Sequence, residues 1–209
     1  MNLIVGPIMP KVIDVTVETL LKIFGVSVIL GAVVLATVLI AKYALKRWGG
    51  EKVKTIAGFV GIGLGVTVAL LCFFGCTTMA VRGILFSLIL LLASFSDIKS
   101  RECDDWLHVM IVIVAFVGFE LSSIPSMLLS AFVISLLMIL SIFIGKGRIG
   151  GADIKFCIAS SLVLGLKNSV IGLTLGLVLA ILMNIKRNKK EGFPLVPYLA
   201  TGFMVAYFI

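Results

Sequence analysis

The sequence predicts an all-α, polytopic integral membrane protein with about eight transmembrane helices. Three observations carry this. Of 209 residues, 61% are hydrophobic and only 13% are charged. The mean hydropathy of +1.25 lies far above that of a soluble domain. Apolar runs of about 20 residues, the length that crosses a bilayer, recur along the whole chain. Helices rather than a barrel are expected. The runs are continuous rather than alternating, and a backbone in lipid must satisfy its own hydrogen bonds.

Taken in order, the expected spans are 20–41, 55–75, 79–97, 106–122, 125–144, 153–166, 168–185 and 194–209. The opening MNLIVGPIMP has no basic n-region and no small-residue cleavage site, so it is not expected to be a signal peptide. The first loop carries Lys42, Lys46, Arg47, Lys52 and Lys54. Lys99 and Arg101 follow span three, Lys146, Arg148 and Lys155 follow span five, and Lys186, Arg187, Lys189 and Lys190 follow span seven. These are 14 of the 18 basic residues. The positive-inside rule places these loops in the cytoplasm and both termini outside. The net charge of +8 is then a topology signal, and no nucleic-acid partner is expected. Gly-x-x-x-Gly spacings in GFVGIGLG (58–65) and GLTLG (172–176) suit close helix packing in lipid.

The acids single out a site. Asp97 closes the apolar run FSLILLLASFSD, and Asp153 opens another, DIKFCIASSLVLG. Both therefore belong at one membrane depth and on one face, where a carboxylate is costly and points to function. Asp153 suits a helix N-terminus. Asp97 stands at a helix C-terminus, where the dipole disfavours an anion. Asp104 and Asp105 read as the start of span four, one of them as its N-cap. Two close carboxylates share a proton, one activating water and the other polarising a carbonyl. On the dipole argument Asp153 is the ionised partner. Gly150 and Gly151 are expected to adopt backbone angles closed to other residues and to let a second chain approach, with Ala152 keeping the site uncrowded.

These motifs resemble the type IV prepilin peptidases and archaeal preflagellin peptidases, membrane aspartic proteases of the Gly-x-Gly-Asp group. DIKSRECDDW (97–106) resembles the segment of the first catalytic Asp. GGADIKF (150–156) resembles the second, with Asp153 and Lys155 in place. FPLVPYLATG (193–202) resembles the Pro-rich start of the last helix. The resemblance implies a six-helix core over 79–209, preceded by an extension of two helices over 1–78. It implies Asp97 and Asp153 as catalytic residues. Gly150, Gly151, Ala152 and Lys155 would support the active-site loop, and Lys99, Arg101 and Asp105 would belong to a substrate loop. The implied activity is removal of basic leaders from prepilin-like proteins at the cytoplasmic membrane face, with lipid as the surrounding partner and no cofactor. Two departures stand out. Cys103-Asp104-Asp105 replaces the usual Ile-Pro-Asn, and Ala152 replaces the final glycine. Residues 1–78 lack the paired Cys-x-x-Cys motif and methyltransferase loop of long members, so no N-methylation is expected.

Other residues take plainer readings. Cys72 and Cys76 share a helix face but make only two ligands, so no metal site is expected. His108, the sole histidine, is expected to be interfacial, and Glu120 to snorkel. A cation-coupled transporter and a catalytically weak assembly factor are the alternative functions. Against the first, the acids lie at span ends, and the sequence shows no internal repeat.

Overall fold

A computed structural model describes residues 9–144, 150–185 and 193–209, with side chains from residue 19 onward except Ile142 and Ile144. The basic residues expected in the loops 145–149 and 186–192 lie outside the described residues. The described residues form seven α-helices: α1 (Met9–Trp48), α2 (Lys52–Phe74), α3 (Thr78–Ser100), α4 (Asp105–Ala115), α5 (Ile124–Ile144), α6 (Gly151–Asn184) and α7 (Val196–Tyr207). A single 3-10 turn at Leu121–Ser123 precedes α5, and no strand occurs among the described residues. The all-helical expectation holds.

Five helices, α1, α2, α3, α5 and α6, are long and apolar enough to cross a membrane. That differs from the eight expected spans for two physical reasons. First, α4 and α7 have 11 and 12 residues, or about 17–18 Å at 1.5 Å per residue, well short of a roughly 30 Å hydrocarbon core. Second, α6 covers both expected spans 153–166 and 168–185 and counts once by length, although the two are separate segments. It is broken at Gly165, whose φ of 76° is open to glycine alone at low cost. The Ser169 hydroxyl lies 3.3 Å from the Ser161 carbonyl, eight residues away. In a straight helix those positions are about 12 Å apart, so the chain folds back at Gly165. Arg82 of α3 donates to the Leu162 and Val163 carbonyls freed by the break. These orphan acceptors would otherwise be costly in lipid.

The core lies among α3, α4, α6 and α7, around the fully buried Phe86, Leu107, Phe156 and Phe203. In lipid, helix association rests on close packing rather than on water exclusion. The closest packing is between α6 and α7. A Cβ at Gly202 would overlap the backbone of Gly172 and Gly176, and one at Gly176 would stand 2.8 Å from Leu199 Cα. The spacing in GLTLG thus marks a real helix contact. The spacing in GFVGIGLG does not. Gly58, Gly61 and Gly65 face open space, and only Gly63 is covered, by Thr37 of α1. α1 and α2 pack on each other and on α3, and reach the remaining helices through side-chain contacts such as Tyr43 on Trp106 of α4 and Phe74 on Tyr207 of α7.

Candidate active site

α3 ends at Arg101, which adopts the left-handed conformation (φ 55°) and donates its amide to the Asp97 carbonyl at 3.0 Å. This C-cap reverses the chain. Ser96 and Ser100 then hold the loop down, their hydroxyls donating to the Glu102 carbonyl at 2.7 and 3.1 Å. The loop drops Cys103 into a buried position and starts α4 at Asp105. Asp104 occupies the N-cap position, as the sequence suggests for one of this pair, but its side chain makes no cap. It accepts instead from Trp106 Nε1 at 3.2 Å and lies 3.9 Å from Arg47 of α1.

Asp97 is buried, 7% exposed. Its Oδ2 accepts the Val196 amide at 2.9 Å, with the Leu195 amide beside it. Val196 is the first residue of α7, where four N–H groups lack intrahelical partners. The residue at the C-terminus of α3 is therefore at the N-terminus of α7. The unfavourable dipole of its own helix is offset by the favourable one of its neighbour. The sequence points to the Pro-rich start of α7 but not to this contact.

Asp153 is half-buried at the third position of α6, behind the N-cap Gly150. Its carboxylate turns back on the Gly150 amide, as the acid of a capping box does. Gly150 has an ordinary extended backbone (φ −70°, ψ 145°), and Gly151 has no positive φ. The expected special backbone angles are absent. What glycine supplies at 150 is room, because a Cβ there would stand 3.2 Å from Asp153 Oδ2, while Gly151 faces open space. Ala152 lies between them, partly buried against the core.

The two carboxylates interact electrostatically. Cys103 reports the grouping most directly. Burial first, and then the charges of Asp97, Asp104, Asp153 and Asp105, together push its thiol up to about 12. One thiol thus feels four acids, drawn from α3, its following loop, α4 and α6. Lys155 Nζ donates to Asp105 Oδ1 at 2.7 Å and joins the N-terminal ends of α4 and α6. This exposed contact holds the Asp105 carboxyl below its ordinary range. Lys99 and Arg101 border the same end of the bundle, Lys99 with its ammonium 5.8 Å from the Phe95 ring.

His108 stands in the first turn of α4. It is buried, edge-on to Phe156, with Nδ1 3.8 Å from Asp105 Oδ1 and neither ring nitrogen hydrogen-bonded among the described residues. Cys72 and Cys76 do not share a helix face, since α2 ends at Phe74, and both are free and exposed. Glu120 is exposed and accepts from the Ser122 hydroxyl at 3.3 Å. Among the described residues no group of three ligand-type side chains could hold a metal ion.

Long apolar helices packed into one bundle define a multi-pass membrane protein. Within it, residues 84–185 match the model of the type IV leader peptidase family. The matched segment contains both Asp97 and Asp153 and leaves α1, α2 and α7 outside it. No curated protein and no solved structure matches the chain.

Proposed function

We propose that this protein is an aspartic endopeptidase that removes basic leaders from prepilin-like proteins at the cytoplasmic membrane face, without methyltransferase activity. The carrying observation is the convergence of Asp97 and Asp153 at one end of the bundle, inside the segment that matches the leader peptidase family. In the proposed reaction the ionised carboxylate takes a proton from water, and the resulting hydroxide attacks the scissile carbonyl carbon. The protonated partner donates to the carbonyl oxygen. Collapse of the tetrahedral diol breaks the C–N bond: the proton taken from water leaves with the amine, and the diol returns the other proton to the partner carboxylate. Both acids sit at helix N-termini, so the dipole argument that made Asp153 the ionised partner no longer distinguishes them, and the proposed pair shares the proton as a unit. Gly150 keeps space beside Asp153, and Lys155 fixes the α6 terminus through Asp105.

Co-expression with prepilin-like proteins from the same genome, read as leader removal on a gel, tests this. The wild type should cleave. Asp97→Asn and Asp153→Asn should each lose at least about a hundredfold in rate while remaining folded, since Asn cannot shuttle the proton. Retention of activity by either variant would exclude that residue from the chemistry. The basic loops imply that positions 100, 147 and 189 are cytoplasmic and position 2 external. Single cysteines at the first three should resist an impermeant thiol reagent in intact cells, and one at position 2 should react. Labelling of position 147 from outside would overturn the cytoplasmic reading.

A further inference from the structure

The C-terminal end of α1 leans on the turn that follows Asp97. The Tyr43 ring stands edge-on to Trp48 and to Trp106, the second residue of α4, with centroids 6.0 Å apart in each pair. Trp48 in turn meets the Phe95 ring of α3 at 6.4 Å. Trp106 passes the contact on, because its Nε1 donates to Asp104 Oδ2 at 3.2 Å. The other carboxylate oxygen of Asp104 lies 3.9 Å from Arg47 Nη2. Asp104 holds the N-cap position of α4, where an Asp side chain ordinarily accepts an amide of the first turn. It makes no such cap and is held by Trp106 and Arg47 instead. The start of α4 thus forgoes a local bond in favour of a contact with α1, a helix outside the segment matched to the family.

We propose that Tyr43 and Arg47 are positioning residues for the candidate active site, a role that rests on the peptidase reading above and extends it to the N-terminal helices. They act through Trp106 and Asp104 on the turn between Asp97 and α4. That turn is fixed at three places. Its start is the Arg101 amide on the Asp97 carbonyl, and its middle is the Glu102 carbonyl under the Ser96 and Ser100 hydroxyls. Its end is Asp104 against α1, followed at once by Asp105 on Lys155, two residues beyond Asp153. The turn therefore links the helix end that carries Asp97 to the helix end that carries Asp153, and α1 holds its last fixed point. The Arg47 pair is exposed and contributes little alone. The Tyr43 edge on Trp106 is the larger part, because aromatic pairs attract beyond the area they cover. Cys103 is buried between the second and third fixed points. Access to its thiol reports whether the turn is held.

Two readouts test this on the full chain. Tyr43→Ala should lower kcat about tenfold with KM within about twofold, because a displaced acid costs more in the reaction than in binding. Tyr43→Phe keeps the ring and should stay within about twofold of the wild type. In a chain whose other cysteines are replaced by alanine, a small neutral maleimide should alkylate Cys103 at least about threefold faster in Tyr43→Ala, since a loosened turn exposes the thiol. Arg47→Gln should move both readouts the same way by less. Added to Trp106→Ala, Tyr43→Ala should change kcat no further, because the two lie on one path. Phe73→Ala removes a comparable edge contact, with Phe208 at 5.2 Å, from the far end of the bundle. It should move neither readout. An unchanged kcat or an unchanged Cys103 rate in Tyr43→Ala, beside a cleaving wild type, would overturn the positioning role and leave the peptidase reading intact. So would equal changes in Phe73→Ala, which would make Tyr43 a packing residue only. A wild type that cleaves no leader-bearing protein would overturn the peptidase reading, while the Cys103 rates would still decide whether α1 holds the turn.

Discussion

Asp97 and Asp153 share an electrostatic setting but reach it by different routes. Asp153 sits at the N-terminus of the helix that carries it and turns back on the Gly150 amide three residues away. Asp97 sits at the N-terminus of a helix 99 residues further along the chain and accepts the Val196 amide from it. The first arrangement is local and forms with α6 itself. The second is tertiary and exists only when α3 and α7 dock. Asp97 is also the more deeply buried of the two. A buried carboxylate held by a single docked helix end depends on the whole α6–α7 packing, down to the backbone contact at Gly202.

The largest expected effect separates these routes. In Asp97→Asn the side-chain oxygen still accepts the Val196 amide, whereas Asp97→Ala leaves that buried N–H unpaired. The Ala variant should be less stable than the Asn variant by about 1–3 kcal/mol. At Asp153 the same comparison concerns a half-exposed helix N-terminus and should give only about 0.3–1 kcal/mol. Thermal or denaturant unfolding in detergent measures both gaps. A larger gap at 153 than at 97 would mean that the tertiary contact contributes little.

The same distinction explains what was legible in the sequence. Apolar run length gave the helices, and the glycine pair followed by Asp153 gave the start of α6, because both are short-range signals. The break between spans six and seven falls at Gly165, two residues before the expected boundary at 167. The short α4 and α7 were overextended, because apolar composition continues past the points where the hydrogen-bonded turns stop. The Val196 contact, the burial of Cys103 and His108, and the carbonyl capping by Arg82 depend on partners far away in the chain. No periodicity encodes them. The glycines at 61 and 65 show the opposite failure, since spacing alone cannot say whether a partner helix is there.

A smaller effect is expected at the contact that ties the two routes together. Lys155 and Asp105 join α4 to α6 at an exposed site, and exposed ion pairs contribute little. Asp105→Asn should alter cleavage only a few-fold, far less than either dyad substitution. Lys155 holds the Asp105 carboxyl below its ordinary range. Its contribution is therefore complete above the ordinary carboxylate pKa and is lost only as pH falls through the depressed value. Between about pH 5 and 8 Asp105 stays ionised, so Asp105→Asn should leave the shape of the pH–rate profile unchanged. A displaced acid limb would place Asp105 among the titrating groups of the reaction.

The smallest effect ranks the acids around one thiol. Cys103 is a spectator thiol pushed up to about 12 by burial and then by Asp97, Asp104, Asp153 and Asp105, in that order. At pH 9 only a small fraction of such a thiol is ionised, so alkylation is slow and proportional to that fraction. In a chain whose other cysteines are replaced by alanine, Asp104→Asn removes one nearby charge and calibrates the response. At pH 9, far above the ordinary carboxylate range, each substitution in the proposed dyad also removes negative charge near the thiol. Asp97→Asn should then speed alkylation most, Asp104→Asn less and Asp153→Asn least, in the order of their contributions at Cys103. A larger acceleration in Asp153→Asn than in Asp97→Asn would mean that Asp153, and not Asp97, is the acid that acts most strongly on the thiol, and that α3, α4 and α6 are grouped differently around Cys103.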